Sequence, residues 1–227
     1  MKISKPVDDI VVRMREFFTG DSTPEFLKEE PFRLELYSYD QMKQHGAAVA
    51  KSHVVVQDHP SDKVLARLAD NEEVIGKVHE LLADAVSAKL PIVPASEWFL
   101  DNYYLIKEQI ALGRTHLPKG YSETLPILAK GKSAGFPRVY DIALELIAHS
   151  DGHISLPSLS AFIESYQTVT KLTLGELWAI PIMLRLAIIE NIRRIGSRLA
   201  LDRLDKNVAI YWADQLLETA QKNPRTS

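Results

Sequence analysis

The stretch that decides the fold runs over residues 173–194 and reads TLGELWAIPIMLRLAIIENIRR. Thr173 and Glu176 have the spacing of a capping box, in which each side chain bonds the backbone N–H of the other, so a helix begins here. Over residues 177–192 apolar side chains occupy most sides of this helix, which indicates a central, largely buried element. We therefore expect Trp178 to lie in the core.

Two residues interrupt this apolar stretch. Pro181 has no backbone N–H to donate, so we expect a kink or a late helix start there. Arg185 would be buried, and an unpaired buried charge is very costly. We expect Arg185 to form an ion pair with Glu97, Asp101 or Glu145.

The helical period continues through most of the chain, because apolar residues recur at steps of three and four. This pattern predicts an all-α fold, a compact helical domain of about eight helices. Ser38 and Gln41 form a second capping box, for a helix that reaches about residue 51. Residues 53–56 have strand character but are too isolated to form a sheet. We expect residues 1–30 to be an N-terminal arm or first helix and residues 31–222 to be a single helical domain. Further helices are predicted near residues 64–86, 96–112, 122–130, 137–149, 157–168, 174–200 and 205–221.

Composition excludes several kinds of protein. The 227 residues include no cysteine, which excludes disulfides, thiolate metal ligands and a cysteine nucleophile. The net charge of −3 gives no general attraction to nucleic acid, so we expect no nucleic-acid partner. The N-terminus lacks the apolar region of a signal peptide, and no run approaches the ~20 apolar residues of a bilayer span. We expect a soluble chain without a transmembrane segment.

A second informative block covers residues 94–110 and reads PASEWFLDNYYLIKEQI. On a single helix its acidic residues follow steps of three and four and share one face. Carboxylates in such a row can bind a cation or act as acid and base. The favoured alternative is a solvated helix face, or carboxylates paired with arginines of neighbouring helices. The candidate binding residues in this block are Glu97, Trp98, Asp101, Asn102 and Tyr104.

A third block, GFPRVYD at residues 135–141, opens another predicted helix. Arg138 and Tyr140 are candidate binding residues, because an arginine can clamp a phosphate or a carboxylate with two parallel hydrogen bonds. We favour a cross-helix ion pair of Arg138 with Asp141 or with a carboxylate of residues 94–110. The polar residues that follow the helical period here are Arg138, Asp141, Glu145 and His149.

Metal sites and catalytic motifs are not predicted. His149 and His153 resemble a ligand pair, but the Asp-Gly between them indicates a turn, which breaks their helical spacing. The chain contains no P-loop, GxGxxG, GxSxG, HExxH or Asp-x-Asp sequence. We therefore expect no catalytic residue, no metal ligand and no cofactor in this chain.

Basic residues become frequent after residue 192. Such a run can contact anionic lipid headgroups or an acidic partner surface. We favour a solvated helix end, because acidic residues are interspersed and the total charge is modest. The residues concerned are Arg193, Arg194, Arg198, Arg203 and Lys206, with Asp202 and Asp205 among them.

Several stretches resemble, in order, the early region of the cyclic β-1,2-glucan synthase family. The specific ones are EWFLDN at residues 97–102 and GELWAIPI at residues 175–182. The resemblance covers about residues 30–220. The supporting stretches are ELYS at 35–38, LARLADNE at 65–72, LPKGY at 117–121 and GFPRVY at 135–140.

This resemblance implies the N-terminal, pre-catalytic region of a large bacterial inner-membrane enzyme. Such synthases use UDP-glucose with a divalent metal, build the glucan on the protein itself and release it as a ring. Their glycosyltransferase domain follows the region that this chain resembles. The implied function is a cytoplasmic accessory or scaffold domain at the inner membrane, whose partner is the remainder of the synthase chain.

Two alternatives to the scaffold role stay open. The first is a β-glucan-binding module, in which exposed rings such as Trp98 and Tyr104 stack on glucose. The second is a small hydrolase or transferase that uses Glu97 and Asp101. Glycoside hydrolysis would require these two carboxylates to stand roughly 5–9 Å apart in an open cleft.

Overall fold

The computed structural model describes residues 12, 16, 29–32, 35–56, 63–117, 120–121, 124–150 and 152–222, without the side chains of 207, 208 and 210–222. These residues form helices and one two-stranded sheet, which confirms the predicted all-α class. The predicted N-terminal arm over residues 1–30 lies almost wholly outside the described residues. In chain order the elements are α1 (Tyr39–Ser52), β1 (Val55–Val56), α2 (Lys63–Ser87), α3 (Pro94–Asp101), α4 (Tyr103–His116), β2 (Ile127–Leu128), α5 (Arg138–Ala148), α6 (Leu156–Val169) and α7 (Leu174–Lys222).

The described residues divide into two compact units. The first unit contains residues 12, 16, 29–30, 73–103 and 193–222, so it includes α3 and the C-terminal parts of α2 and α7. The second unit contains residues 31–72 and 104–192, so it includes α1, α5, α6 and the sheet. The predicted single domain over residues 31–222 stays a prediction.

In the second unit, α1 packs against α6. The predicted capping box at the start of α1 is confirmed, with Ser38 and Gln41 each bonding the backbone of the other. Gly46 lies where the two helices meet, and a Cβ atom there would collide with the backbone carbonyl of Phe162. The absence of a side chain at this position is what permits the close approach of the helices.

The two-stranded sheet corrects two predictions. Val55 and Val56 pair antiparallel with Leu128 and Ile127, so residues 53–56 do contribute a strand. The predicted helix over residues 122–130 is wrong for the described part of that segment, which contains β2. The strand partners lie about 70 positions apart in sequence, so local periodicity could not reveal the pairing.

The predicted helix over residues 96–112 is two helices, α3 and α4, separated at Asn102. The backbone of Asn102 leaves the helical region, with φ −102° and ψ 8°. Its side-chain amide donates to the Trp98 carbonyl at 2.8 Å, a local bond of the kind that competes with helix continuation. The acidic residues of this block therefore do not line one continuous helix.

The two helices predicted over residues 174–200 and 205–221 form one helix, α7, which continues through Pro181. The alternative prediction that a helix starts only at Pro181 is therefore wrong. The capping box of Thr173 and Glu176 is confirmed, with the Thr173 N–H donating to the Glu176 carboxylate at 2.7 Å. Within the second unit, α7 is joined to α2 because Arg67 donates two hydrogen bonds, at 2.8 and 3.0 Å, to Glu190.

In the first unit, Phe99 of α3 is buried against α7, where Gly196 leaves room for its ring. His79 and Tyr103 stack with ring centroids 3.8 Å apart.

Among the described residues, every helix is too short or too polar to cross a lipid bilayer.

Candidate functional site

The polar stripe of α5 consists of Arg138, Asp141, Glu145 and His149. Each member finds a partner on another segment of the second unit, so the periodic pattern in the sequence marks a row of buried and half-buried interactions. The partners are Glu176, His53, His45 and the backbone carbonyl of Glu35.

Arg138 forms a buried ion pair with Glu176. Its Nε and Nη2 donate to the two carboxylate oxygens at 2.5 and 2.8 Å, and Nη2 also donates to the Lys171 carbonyl. Burial lowers the pKa of Arg138, but the hydrogen bond and charge of Glu176 outweigh this effect and leave the pKa raised. The expected pairing with Asp141 or with residues 94–110 is wrong, because the partner is Glu176, which lies in the stretch over residues 173–194.

Asp141 belongs to a neighbouring hydrogen-bonded chain. His53 donates from Nε2 to the Asp141 carboxylate at 3.0 Å, because a carboxylate can only accept. The hydroxyl of Tyr166 lies 2.8 Å from Nδ1 of the same ring. Burial raises the pKa of Tyr166, and the nearby Arg138 charge partly offsets the rise. The row of hydrogen bonds from Tyr166 through His53 to Asp141 is enclosed, since the His53 side chain is 6% exposed. It therefore holds α1, α5 and α6 in a fixed relative orientation.

A third group on the stripe joins His45, Glu145 and His149. Glu145 Oε2 lies 2.8 Å from His45 Nε2 and 3.7 Å from His149 Nε2. The ligand atoms of the three side chains all lie within 4.8 Å of one another, so they can hold a metal ion. His45 was missed in the sequence because it lies 100 positions before Glu145, on another helix.

The stripe does not open a binding surface at the two residues chosen there from the sequence. Arg138 and Tyr140 are each 4% exposed. The Tyr140 ring stacks on Phe136 at a centroid distance of 5.3 Å. Their position favours a structural contribution, and their binding role stays a prediction.

In the first unit, Glu97 and Asp101 line one pocket of about 660 Å³ with Lys89. Both acidic residues are exposed. Trp98, next to them in sequence, is 54% exposed. Asn102 caps α3 rather than pointing to a shared helix face. The structure thus brings two of the candidate residues together, and their binding role stays a prediction.

Tyr104 belongs to the second unit, where it stands near the start of α4. It is 73% exposed, so its ring is available to a ligand or a partner.

Another open aromatic surface of the second unit surrounds Trp178, which is 72% exposed. The predicted core position of Trp178 is therefore wrong. The helix turns Ala179, Met183 and Ala187 inward, all of them fully buried, and its other side stays uncovered. The prediction that residues 177–192 are largely buried did not locate this open face, because an apolar composition does not by itself show which face is covered.

A pocket of about 210 Å³ lies beside Trp178. Arg185 projects from the same face of α7 two turns further along, and it has no hydrogen bond or ion pair with any described residue. The predicted ion pair of Arg185 is therefore wrong for this part of the chain. Tyr121 is fixed at the rim, since its hydroxyl donates to the Gly175 carbonyl at 3.0 Å. The pocket residues are His116, Tyr121, Trp178, Pro181, Ile182 and Arg185.

These residue types suit a polar ligand with an apolar face. The indole ring offers a flat apolar surface, and Arg185 offers several N–H donors in a fixed fork. A pyranose ring has that combination, with C–H groups on its face and hydroxyls on its edge. We name Trp178, Arg185, Tyr121 and His116 the Trp178 face.

The basic run of α7 is largely engaged within the first unit. Arg193 is fully buried and pairs with Glu29, and Arg194 also reaches Glu29. Arg203 donates to the Pro91 carbonyl at 2.9 Å, and burial lowers its pKa. These contacts favour internal stabilisation over lipid binding for the described residues of this run.

Sequence comparison relates this chain to one part of a much larger protein. The chain is 33% identical over 189 residues to the cyclic beta-(1,2)-glucan synthase NdvB of Rhizobium meliloti (strain 1021). The match includes 83% of this chain but 7% of that synthase. No established protein-family profile matches the chain. The resemblance stated from the sequence is thereby confirmed.

Proposed function

Because the chain is related in sequence to a segment of a cyclic β-(1,2)-glucan synthase, we propose that it is an accessory domain of such a synthase and not its catalytic part. The observation that carries the proposal is the extent of the match, which takes in most of this chain and 7% of the relative. A transferase of this kind needs carboxylates for a metal and a nucleotide sugar, and the sequence contains no Asp-x-Asp.

The Trp178 face and the exposed apolar residues beside it on α7 support a scaffold role. Leu174, Trp178 and Ile188 are 61%, 72% and 40% exposed along α7. Exposed apolar side chains that share one face of a helix are typical of an interaction surface. We propose that another part of the synthase packs there, at the cytoplasmic face of the bacterial inner membrane. UDP-glucose and its divalent metal would then act elsewhere in that synthase.

The accessory role predicts that the purified 227-residue chain does not transfer glucose. Incubation with radiolabelled UDP-glucose and a divalent metal is expected to give no labelled glucan and no labelled protein. A complete cyclic glucan synthase serves as the positive control. Glucosyl transfer by the chain alone would overturn the proposal.

A second candidate function is β-glucan binding at the Trp178 face. The specific observation is an exposed indole ring beside Arg185, whose guanidinium has no partner among the described residues. A glucose unit could stack on the ring while Arg185 donates to its hydroxyls. This function is compatible with an accessory role, since the chain would hold the product of another domain.

Titration of the chain with linear and cyclic β-1,2-glucan by calorimetry tests this candidate. We expect Trp178→Ala to weaken binding by about tenfold or more, because burying a large apolar side chain is worth roughly 1.5–3 kcal/mol. The matched control is Trp98→Ala, since Trp98 is also more than half exposed but belongs to the first unit.

The two variants separate the possible sites. Loss of binding in Trp98→Ala alone would move the glucan site to the pocket of Glu97 and Asp101. An absence of glucan binding by the unmodified chain would remove the binding function and leave the scaffold role as the account of the Trp178 face.

A further inference from the structure

We propose that His45, Glu145 and His149 form a binding site for one zinc-type divalent cation. This site is independent of the proposed function, because it lies on the polar stripe of α5 and shares no residue with the Trp178 face. It also differs from the nucleotide-linked metal of a glycosyltransferase, since two of its three ligands are imidazoles.

The first argument is the donor set. Two imidazole nitrogens and one carboxylate are ligands that Zn²⁺ accepts in a tetrahedral arrangement with bonds of about 2.0–2.2 Å. Such bonds place neighbouring ligand atoms about 3.4 Å apart. Glu145 Oε2 stands 2.8 and 3.7 Å from the two imidazole nitrogens, on either side of that value. The ligand atoms of all three side chains lie within 4.8 Å of one another.

The second argument is the orientation of His149. Its Nδ1 lies 2.9 Å from the Glu35 carbonyl, which can only accept, so Nδ1 carries a proton. In the neutral form of the ring, the Nε2 lone pair therefore points toward Glu145 Oε2 at 3.7 Å, the arrangement in which a cation between the two atoms has a ligand on each side. A backbone carbonyl that fixes the outer nitrogen of a histidine is the usual support of a metal ligand.

The third argument is the surrounding packing. Tyr37 stacks on the His149 ring with centroids 3.8 Å apart and an angle of 10°, and it meets His45 edge-on. The His149 side chain is 7% exposed, whereas that of Glu145 is 34% exposed. The site therefore has a rigid inner ligand and an open outer side, through which an ion can enter and a water molecule can complete the coordination.

Bound zinc would join α1 to the C-terminal end of α5, because His45 lies on α1, Glu145 on the last turns of α5 and His149 at its C-cap. His45 Nε2 lies 2.8 Å from Glu145 Oε2 in the metal-free arrangement. To bind the ion, the neutral His45 ring would carry its one proton on Nδ1 and present the Nε2 lone pair. An ion that binds the folded chain and not the unfolded chain raises the melting temperature. We therefore expect zinc to bind with one ion per chain and to raise Tm.

The experiment is a zinc titration of the metal-free chain against a chromophoric chelator, with Tm measured in parallel. His45→Ala and Glu145→Gln should each weaken zinc binding by more than the roughly 10–100-fold typical of losing an outer-shell partner. The matched control is His153→Ala, which removes an exposed imidazole outside the cluster and should leave affinity unchanged. Magnesium should not compete, because it prefers oxygen ligands.

Glu145→Gln keeps the proposal testable if His45→Ala folds poorly, because glutamine preserves the side-chain shape. Cobalt provides a second readout, since the visible absorption of bound Co²⁺ reports coordination geometry independently of stability. Zinc binding that is absent, or that survives in both ligand variants, would overturn the site. Loss of binding in His153→Ala would assign the zinc to surface histidines instead.

Discussion

Single side chains of the polar stripe carry charge into the nearly dry interior of the second unit. Arg138 and Glu176 are 4% and 0% exposed and meet through two parallel hydrogen bonds. The sequence predicted a cap for Glu176 and a cross-helix pair for Arg138, but it could not join them. They lie 38 positions apart, and no helical or strand period relates residues at that separation.

Glu176→Gln isolates the value of this ion pair. Glutamine also serves in a capping box, so the bond from the Thr173 N–H is retained, but the Arg138 charge stays buried without a counter-ion. We expect the free energy of unfolding to fall by roughly 3–5 kcal/mol, measured by urea unfolding.

The exposed pair of Arg114 and Glu72 provides the matched control, since their side chains are 50% and 38% exposed. Glu72→Gln should lower the free energy of unfolding by less than about 1 kcal/mol. Equally small losses in the two variants would show that Arg138 is solvated, contrary to its burial.

At the level of elements, local sequence signals located helices well where a cap and an apolar period agree. The capping box of Ser38 and Gln41 marks the start of α1, and the prediction over residues 137–149 matches α5. Prediction failed where a single side chain changes the backbone, as Asn102 does between α3 and α4. It also failed where a distant strand supplies the partner, as for β1 and β2.

The contact of α1 with α6 depends on Gly46. In Gly46→Ala the new methyl group would meet the backbone of Phe162, which cannot rotate away as a side chain can. We expect the free energy of unfolding to fall by roughly 1–3 kcal/mol, the usual range for overpacking. Thermal and urea unfolding measure the change.

Gly76→Ala is the control, because this glycine also lies inside a helix but its Cβ would meet Tyr103 at an ordinary 3.7 Å. Alanine is the better helix former, so this variant should gain up to about 1 kcal/mol. A loss in both variants would attribute the effect to helix propensity or to the unfolded state and not to the α1–α6 contact.

For the molecule as a whole, the sequence identified the related synthase but not the surface that a partner would use. Trp178 was expected in the core because its neighbours are apolar, yet α7 leaves that face uncovered in the second unit. Arg185 was expected to form an ion pair because its apolar neighbours suggested that it is buried, yet it lines the open pocket beside Trp178. Burial depends on which faces the other helices cover, and this information lies in tertiary packing and not in the period of one helix.

The alkaline stability of the whole chain should depend on Tyr166. Burial holds the pKa of this hydroxyl above its ordinary value of 10.0. Above that pH the unfolded chain releases the proton while the folded chain retains it, so rising pH favours unfolding. The contribution of Tyr166 is fully present below pH 10.0 and is lost as the pH passes through the raised pKa.

Comparison with Tyr166→Phe measures this contribution directly. Near neutral pH the unmodified chain should be more stable by roughly 0.5–1.5 kcal/mol, because its hydroxyl bonds His53. Above pH 10.0 the difference should shrink, since phenylalanine has no proton to lose. Tyr104→Phe, at an exposed position, should show a constant difference. The free energies of unfolding are measured with urea at increasing pH. If the difference between the unmodified chain and Tyr166→Phe stays constant or widens, then Tyr166 is solvated. That result would contradict the hydrogen-bonded chain that joins Tyr166 to Asp141 through His53.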